Sequence, residues 1–128
     1  MTTQTKPYIV IAEDDRAYGH VYLNKLTAEG FDVTLVNNGA KVMPALLERK
    51  PQLLVLDLVM PEMTGFDVLE KIRQNPELAD LRVIVASNLS QDVDKEKVAK
   101  YQVYDYFVKS DVSIGEVVER IRSALSDK

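Results

Sequence analysis

The chain contains no cysteine, and its one histidine is His20. Without thiols there is no disulfide framework, thiolate metal site, iron–sulfur cluster or cysteine nucleophile. A reducing, cytoplasmic setting fits that composition. A single histidine excludes any two-histidine zinc motif. A Ser-His-Asp triad would have to use His20, which has no supporting residues around it and reads as a solvated helix position. No apolar run approaches the roughly 20 residues that a membrane-spanning helix needs. The polar start, Met1 to Lys6, lacks the basic-then-apolar pattern of a secretory signal, and disorder is expected only there. A surplus of basic residues is missing as well. Lys and Arg number 16 against 20 Asp and Glu, a net charge of −4. A broad basic face for nucleic acid is therefore disfavoured. Glycine is sparse and scattered, at Gly19, Gly30, Gly39, Gly65 and Gly115, so the glycine cluster that a dinucleotide-binding turn requires is absent.

What is present is an ordinary soluble composition, with 46% apolar and 28% charged residues in 128. That length predicts one domain over 1–128, large enough to bury about two-thirds of its unfolded surface. Short apolar runs alternate with helical patterns. Strands are expected at Tyr8–Ala12, Phe31–Val36, Leu53–Leu56, Val83–Ala86 and Val103–Val108. Continuous apolar runs suit strands covered on both faces, as in a parallel sheet. Between them, Tyr18, Tyr22 and Leu26 mark a first helix, with Ala17 and Val21 beside them and Gly30 as its stop. Val42, Ala45 and Leu46 mark a second, after Asn38, in which Pro44 predicts a kink or a late start. Phe66, Leu69 and Ile72 mark a third, with Thr64 and Asp67 at capping spacing. Val93, Val98 and Tyr101 mark a polar fourth. Ile114, Val117, Val118, Ile121 and Leu125 mark a fifth, with Ser113 and Glu116 as a capping pair. Strict alternation predicts a three-layer α/β sandwich with right-handed crossovers. Met43, Met60 and Met63 read as gap-fillers.

In an open parallel sheet, ligands bind beyond the carboxyl ends of the strands. The first strand ends in Glu13-Asp14-Asp15, the third in Asp57, the fourth in Ser87 and the fifth in Lys109. Each has an ordinary explanation taken singly, as a helix start, a turn or a solvated strand end. Together they converge on one edge. Crowded carboxylates repel one another and are relieved by a hard divalent cation, and an all-oxygen donor set points to Mg²⁺ or Mn²⁺. A lysine and a hydroxyl beside such a cation make a site for a charged phosphoryl group.

These residues resemble the receiver domain of bacterial two-component response regulators. The likeness rests on Ile9-Val10-Ile11-Ala12-Glu13-Asp14-Asp15, on Leu54-Val55-Leu56-Asp57-Leu58-Val59-Met60-Pro61-Glu62-Met63-Thr64-Gly65, on Val83-Ile84-Val85-Ala86-Ser87 and on Tyr106-Phe107-Val108-Lys109. It extends over roughly Pro7 to Leu125. It implies a flavodoxin-like (βα)5 fold with strand order 2-1-3-4-5. It further implies that Asp57 accepts a phosphoryl group and that Glu13, Asp14, Asp57 and the backbone carbonyl of Val59 hold Mg²⁺. Lys109 would pair with the phosphoryl oxygens. Ser87 and Tyr106 would relay the change to the surface of the fourth helix, fifth strand and fifth helix. The implied donor is a sensor histidine kinase or phosphotransfer protein, and the chain would catalyse only its own phosphorylation and dephosphorylation. Output would pass to a downstream protein or to a C-terminal output domain lying outside this sequence, from a monomer or a phosphorylation-dependent dimer, with no direct nucleic-acid or membrane contact.

The sequence departs from the family's pattern at two places. Ser110 stands where many members have proline, and Asn88 where a small residue is usual. These keep open a phosphorylation-independent pseudo-receiver. Val59 and Leu89 are apolar at positions that influence phosphoryl loss, which predicts slow self-dephosphorylation. Enzymes of similar fold fit less well. A haloacid-dehalogenase-like phosphatase needs an aspartate where Val59 stands, and the acidic first loop would repel a flavin phosphate.

Overall fold

The computed structural model describes residues 6–88 and 92–127, the side chains of residues 92–95 excepted. Strands β1 (Tyr8–Ala12), β2 (Asp32–Val36), β3 (Leu53–Leu56), β4 (Val83–Ser87) and β5 (Asp105–Val108) alternate with helices α1 (Arg16–Ala28), α2 (Val42–Glu48), α3 (Gly65–Gln74), α4 (Asp92–Ala99) and α5 (Ile114–Ser126). All strand pairs are parallel, in the order β2-β1-β3-β4-β5. The three central strands β1, β3 and β4 are buried throughout, which is why they read as unbroken apolar runs. The edge strand β2 is half-buried along its length and carries polar Asp32 and Thr34.

Side chains alternate across the sheet and build two apolar layers. One gathers Val10, Leu54, Leu56 and Val85 with Val42, Leu46, Leu69 and Ile72 under α2 and α3. The other gathers Ile9, Ile11, Val55 and Ile84 with Tyr22, Leu26, Val118 and Ile121 under α1 and α5. Helices thus shield the apolar side chains on each face of the sheet from water, the main favourable contribution to folding.

Several local expectations shift. β5 begins at Asp105 rather than Val103, because its ladder with β4 opens at Ile84 paired with Asp105. Phe31 is buried but precedes β2. Pro44 sits in the first turn of α2, after a 3₁₀ turn over Gly39–Lys41. There its missing N–H costs no helical bond, so the late start holds and no kink is needed. In α1, Val21, beside the stripe of Tyr18, Tyr22 and Leu26, is 50% exposed. Tyr101 falls beyond the end of α4 and is half-buried against the core. The side chain of Val93 and all of Leu89, like residues 1–5, lie outside the described residues.

Candidate functional site

The carboxyl edge of the sheet is built by the ladder itself. Ala12 pairs with Leu56 and Leu56 with Val85, while Ser87 pairs with Val108. The residues that follow are therefore delivered side by side. The Asp57 amide donates to the Ala12 carbonyl at 3.0 Å, and the Glu13 amide to the Val36 carbonyl at 2.9 Å. Both side chains leave the backbone where the pairing ends.

Four polar or charged side chains are buried among the described residues: Glu13, Asp57, Ser87 and Lys109. All four stand on this edge. Burying an ion without a partner is costly, and these ions have partners. Lys109 Nζ donates to Glu13 Oε1 at 2.6 Å and to Asp57 Oδ2 at 3.2 Å. The second oxygen of Glu13 accepts from the Asp15 amide at 3.1 Å, and Asp57 Oδ1 accepts from the Val59 amide at 3.2 Å. Asp14 is exposed. One carboxylate oxygen from each of Glu13, Asp14 and Asp57 lies within 4.8 Å of the others.

Three carboxylates against one ammonium leave the cluster short of positive charge. Burial, the largest effect, pushes the Glu13 carboxyl up to about 7, the Asp57 charge adds to that, and only the Lys109 hydrogen bond and the Asp15 amide oppose it. Burial works against the Lys109 ammonium, but the bonds and charges of Glu13 and Asp57 overcome it and hold its pKa above the ordinary value. Oxygen donors in charge excess, one of them open to solvent, suit a divalent cation. The three acidic residues could hold one.

The loop after Asp57 is fixed by close backbone packing. A Cβ on Gly65 would lie 2.5 Å from the Asp57 carbonyl oxygen and 2.6 Å from Leu58 Cα. Only glycine lets α3 start so near the end of β3. The Gly65 amide donates to the Leu58 carbonyl at 2.9 Å, and Thr64 and Asp67 close a reciprocal capping box. Pro61, Glu62 and Met63 bridge the gap, with Glu62 in the left-handed region at φ 70°. From the other side, Gly39 presses on the loop, its amide bonded to the Pro61 carbonyl and a Cβ there only 1.7 Å from the Met63 oxygen.

Glu13, Asp14, Asp57, Ser87 and Lys109 meet at this edge, while Leu89 lies outside the described residues. Ser87 is fully buried at the end of β4. Tyr106 sits in β5 opposite Val85 and is half-buried against the layer under α2 and α3. Val59 is 58% exposed beside Asp57, and Asn88 is exposed. In place of a proline, Ser110 lies within a 3₁₀ turn over Lys109–Asp111. Sequence reading assigned Tyr18 only to the packing stripe of α1. The fold puts its ring 4.6 Å from Lys109 Nζ. Its position four residues after Asp14, on the first turn of a helix leaving the site, was the available signal.

Comparison with known proteins converges on one group. The family described as the response regulator receiver domain matches residues 9–122. The phosphate regulon transcriptional regulatory protein PhoB of Rhizobium meliloti is 30% identical over 93% of this chain, which spans 52% of that protein. The chain thus covers about half the length of this curated relative. Among solved structures, a LuxR-family DNA-binding response regulator from Staphylococcus aureus superposes with a TM-score of 0.85 at 30% identity, covering 94% of this chain and 99% of that one. The Mn²⁺-bound form of response regulator Rcp1 superposes with a TM-score of 0.84 at 25% identity, covering 95% and 96%.

Proposed function

The chain belongs to the response regulator receiver domain family, and we propose that it is a phosphorylation-dependent switch with Asp57 as the acceptor. One observation carries the reading: the buried polar side chains among the described residues are Glu13, Asp57, Ser87 and Lys109, gathered at one edge. A core gives up apolar packing for such a cluster only with their charges and hydrogen bonds satisfied.

In this reading Glu13, Asp14, Asp57 and the Val59 carbonyl would hold Mg²⁺, with Mn²⁺ as a substitute. The bound cation would supply charge neutralisation and alignment for transfer from a phosphohistidine or a small phosphodonor. An Asp57 carboxylate oxygen attacks phosphorus, the bond to the donor breaks, and the leaving group departs with its electron pair. Lys109 already donates to Asp57 and meets the charge of the incoming group. Added charge at Asp57 draws the Ser87 hydroxyl, and Tyr106 follows it, biasing the surface of α4, β5 and α5. The switch acts in the cytoplasm, with a histidine kinase or phosphotransfer protein upstream and a protein or output domain downstream. It turns over no other substrate.

Intact mass after incubation with Mg²⁺ and acetyl phosphate tests this. One added phosphoryl group is expected, absent in Asp57→Asn and in chelator. No addition to folded protein overturns the reading in favour of a pseudo-receiver, with the exposed Asn88 and Ser110 as the first positions to revert.

A further inference from the structure

Lys109 carries a buried ammonium, its side chain 3% exposed. An ammonium has three N–H groups and no acceptor. Two contacts are the carboxylates of Glu13 and Asp57. The next is aromatic: Nζ stands over the Tyr18 ring, 4.6 Å from its centroid. A ring face so close to a desolvated cation attracts it electrostatically.

The ring is itself held in place. The Tyr18 amide donates to the Asp15 carboxylate at 3.1 Å, and the Asp15 amide donates to Glu13. The ring of buried Tyr22 packs 5.9 Å away, tilted by 41°. Tyr18 also walls a cavity of about 250 Å³ between α1 and α5, bounded by Val21, Val112, Ile114 and the Lys109 side chain. The ring and the Lys109 side chain thus border the same apolar space.

Resting on the phosphoryl-transfer reading, we propose that Tyr18 is a positioning residue: its ring face holds the Lys109 ammonium toward Asp57. It is not among the acidic residues that would hold the metal ion. Without the ring, the flexible lysine stem gains room toward the cavity and its charge meets the phosphoryl group less well. A hydroxyl plays no part, so phenylalanine should serve and leucine should not.

The test compares wild type, Tyr18→Phe and Tyr18→Leu by rate of phosphorylation with acetyl phosphate at saturating Mg²⁺, alongside Mg²⁺ affinity by calorimetry. Tyr18→Leu should react about thirtyfold more slowly, the size of one desolvated cation–π contact, with unchanged Mg²⁺ affinity. Tyr18→Phe should match wild type. Equal rates in Tyr18→Leu and wild type, or equal losses in both variants, overturn the proposal. A purely structural role would lower thermal stability and Mg²⁺ affinity with the rate. NMR of the wild type provides a separate measurement should Tyr18→Leu fail to fold or the chain take no phosphoryl group. The Lys109 ε-methylene protons should be shifted upfield by the ring current, and their absence from that region overturns the proposal whatever the fate of the Asp57 reading.

Discussion

At the scale of single residues, the buried acidic cluster makes stability depend on pH in an unusual direction. The Glu13 carboxyl titrates near 7 in the fold, against an ordinary value of 4.5. Between those values the folded chain binds more proton than the unfolded one, so its stability falls as pH rises. Without divalent cation, the urea midpoint should therefore drop from pH 5 to pH 8. Asp57→Asn removes a neighbouring negative charge and should flatten that fall. A midpoint that rises over the same interval would contradict that expectation. Val59 gives a second residue-level expectation. Its apolar side chain is exposed beside Asp57 and cannot orient an attacking water. Val59→Asn should shorten the lifetime of the phosphorylated protein, read by the decay of the added mass; a longer lifetime would contradict it.

At the scale of elements, the fold places the site by terminating strands and starting helices sharply. α3 begins eight residues after Asp57, at Gly65, and its start is tied by a complete capping box between Thr64 and Asp67. Thr64→Ala should lower unfolding free energy by about 1 kcal/mol, measured by urea titration. Thr64→Ser, which keeps the acceptor oxygen, should lose less. α5 uses half of the same device: the Ser113 side chain accepts from the Glu116 amide, while the Glu116 carboxylate turns to Arg120. Arg120 also grips Asp105 of β5 with two bonds of 2.8 and 2.9 Å. The capping spacing was legible in both places. The second partner of Glu116 was not, because the competing arginine was one helical turn away and its reach depended on β5.

At the scale of the whole molecule, the two edges of the sheet are held differently. The carboxyl edge carries the acidic cluster. At the opposite edge, Arg73 at the end of α3 donates to the carbonyls of Ala79, Leu81, Tyr101 and Gln102, at 2.6 to 3.2 Å. One side chain thereby ties α3 to the approach to β4 and to the turn between α4 and β5. The C-terminal end of α4 is anchored there, whereas its N-terminal end follows Ser87 and Asn88 at the site. Gln102, at φ 57°, is kept in the left-handed region within that knot. Arg73→Met should cost about 2–4 kcal/mol, because partly buried carbonyls lose charged donors. Its Mg²⁺ affinity should stay that of wild type, since no carboxylate of the cluster is touched. Chemical denaturation and calorimetry measure the two quantities independently.

Much of this protein follows from local sequence. Side-chain period and strand-length apolar runs are set by neighbours a few residues apart, so β1 and β3 were legible to the residue and the alternation implied a parallel sheet. The Asp57-to-Gly65 segment is equally local, and its glycine is explained by backbone contact with Asp57 itself. The placement of Glu13, Asp57, Ser87 and Lys109 on one edge followed from the topology. Tertiary structure decided the rest. It joined Lys109 to Glu13 across a separation of 96 residues. It set the ring of Tyr18 over that ammonium and gathered four carbonyls on Arg73. It also left β2 half-buried at the sheet edge. Such contacts have no sequence period. They arise when packed layers bring distant segments together, and long flexible side chains take whichever partners that packing offers.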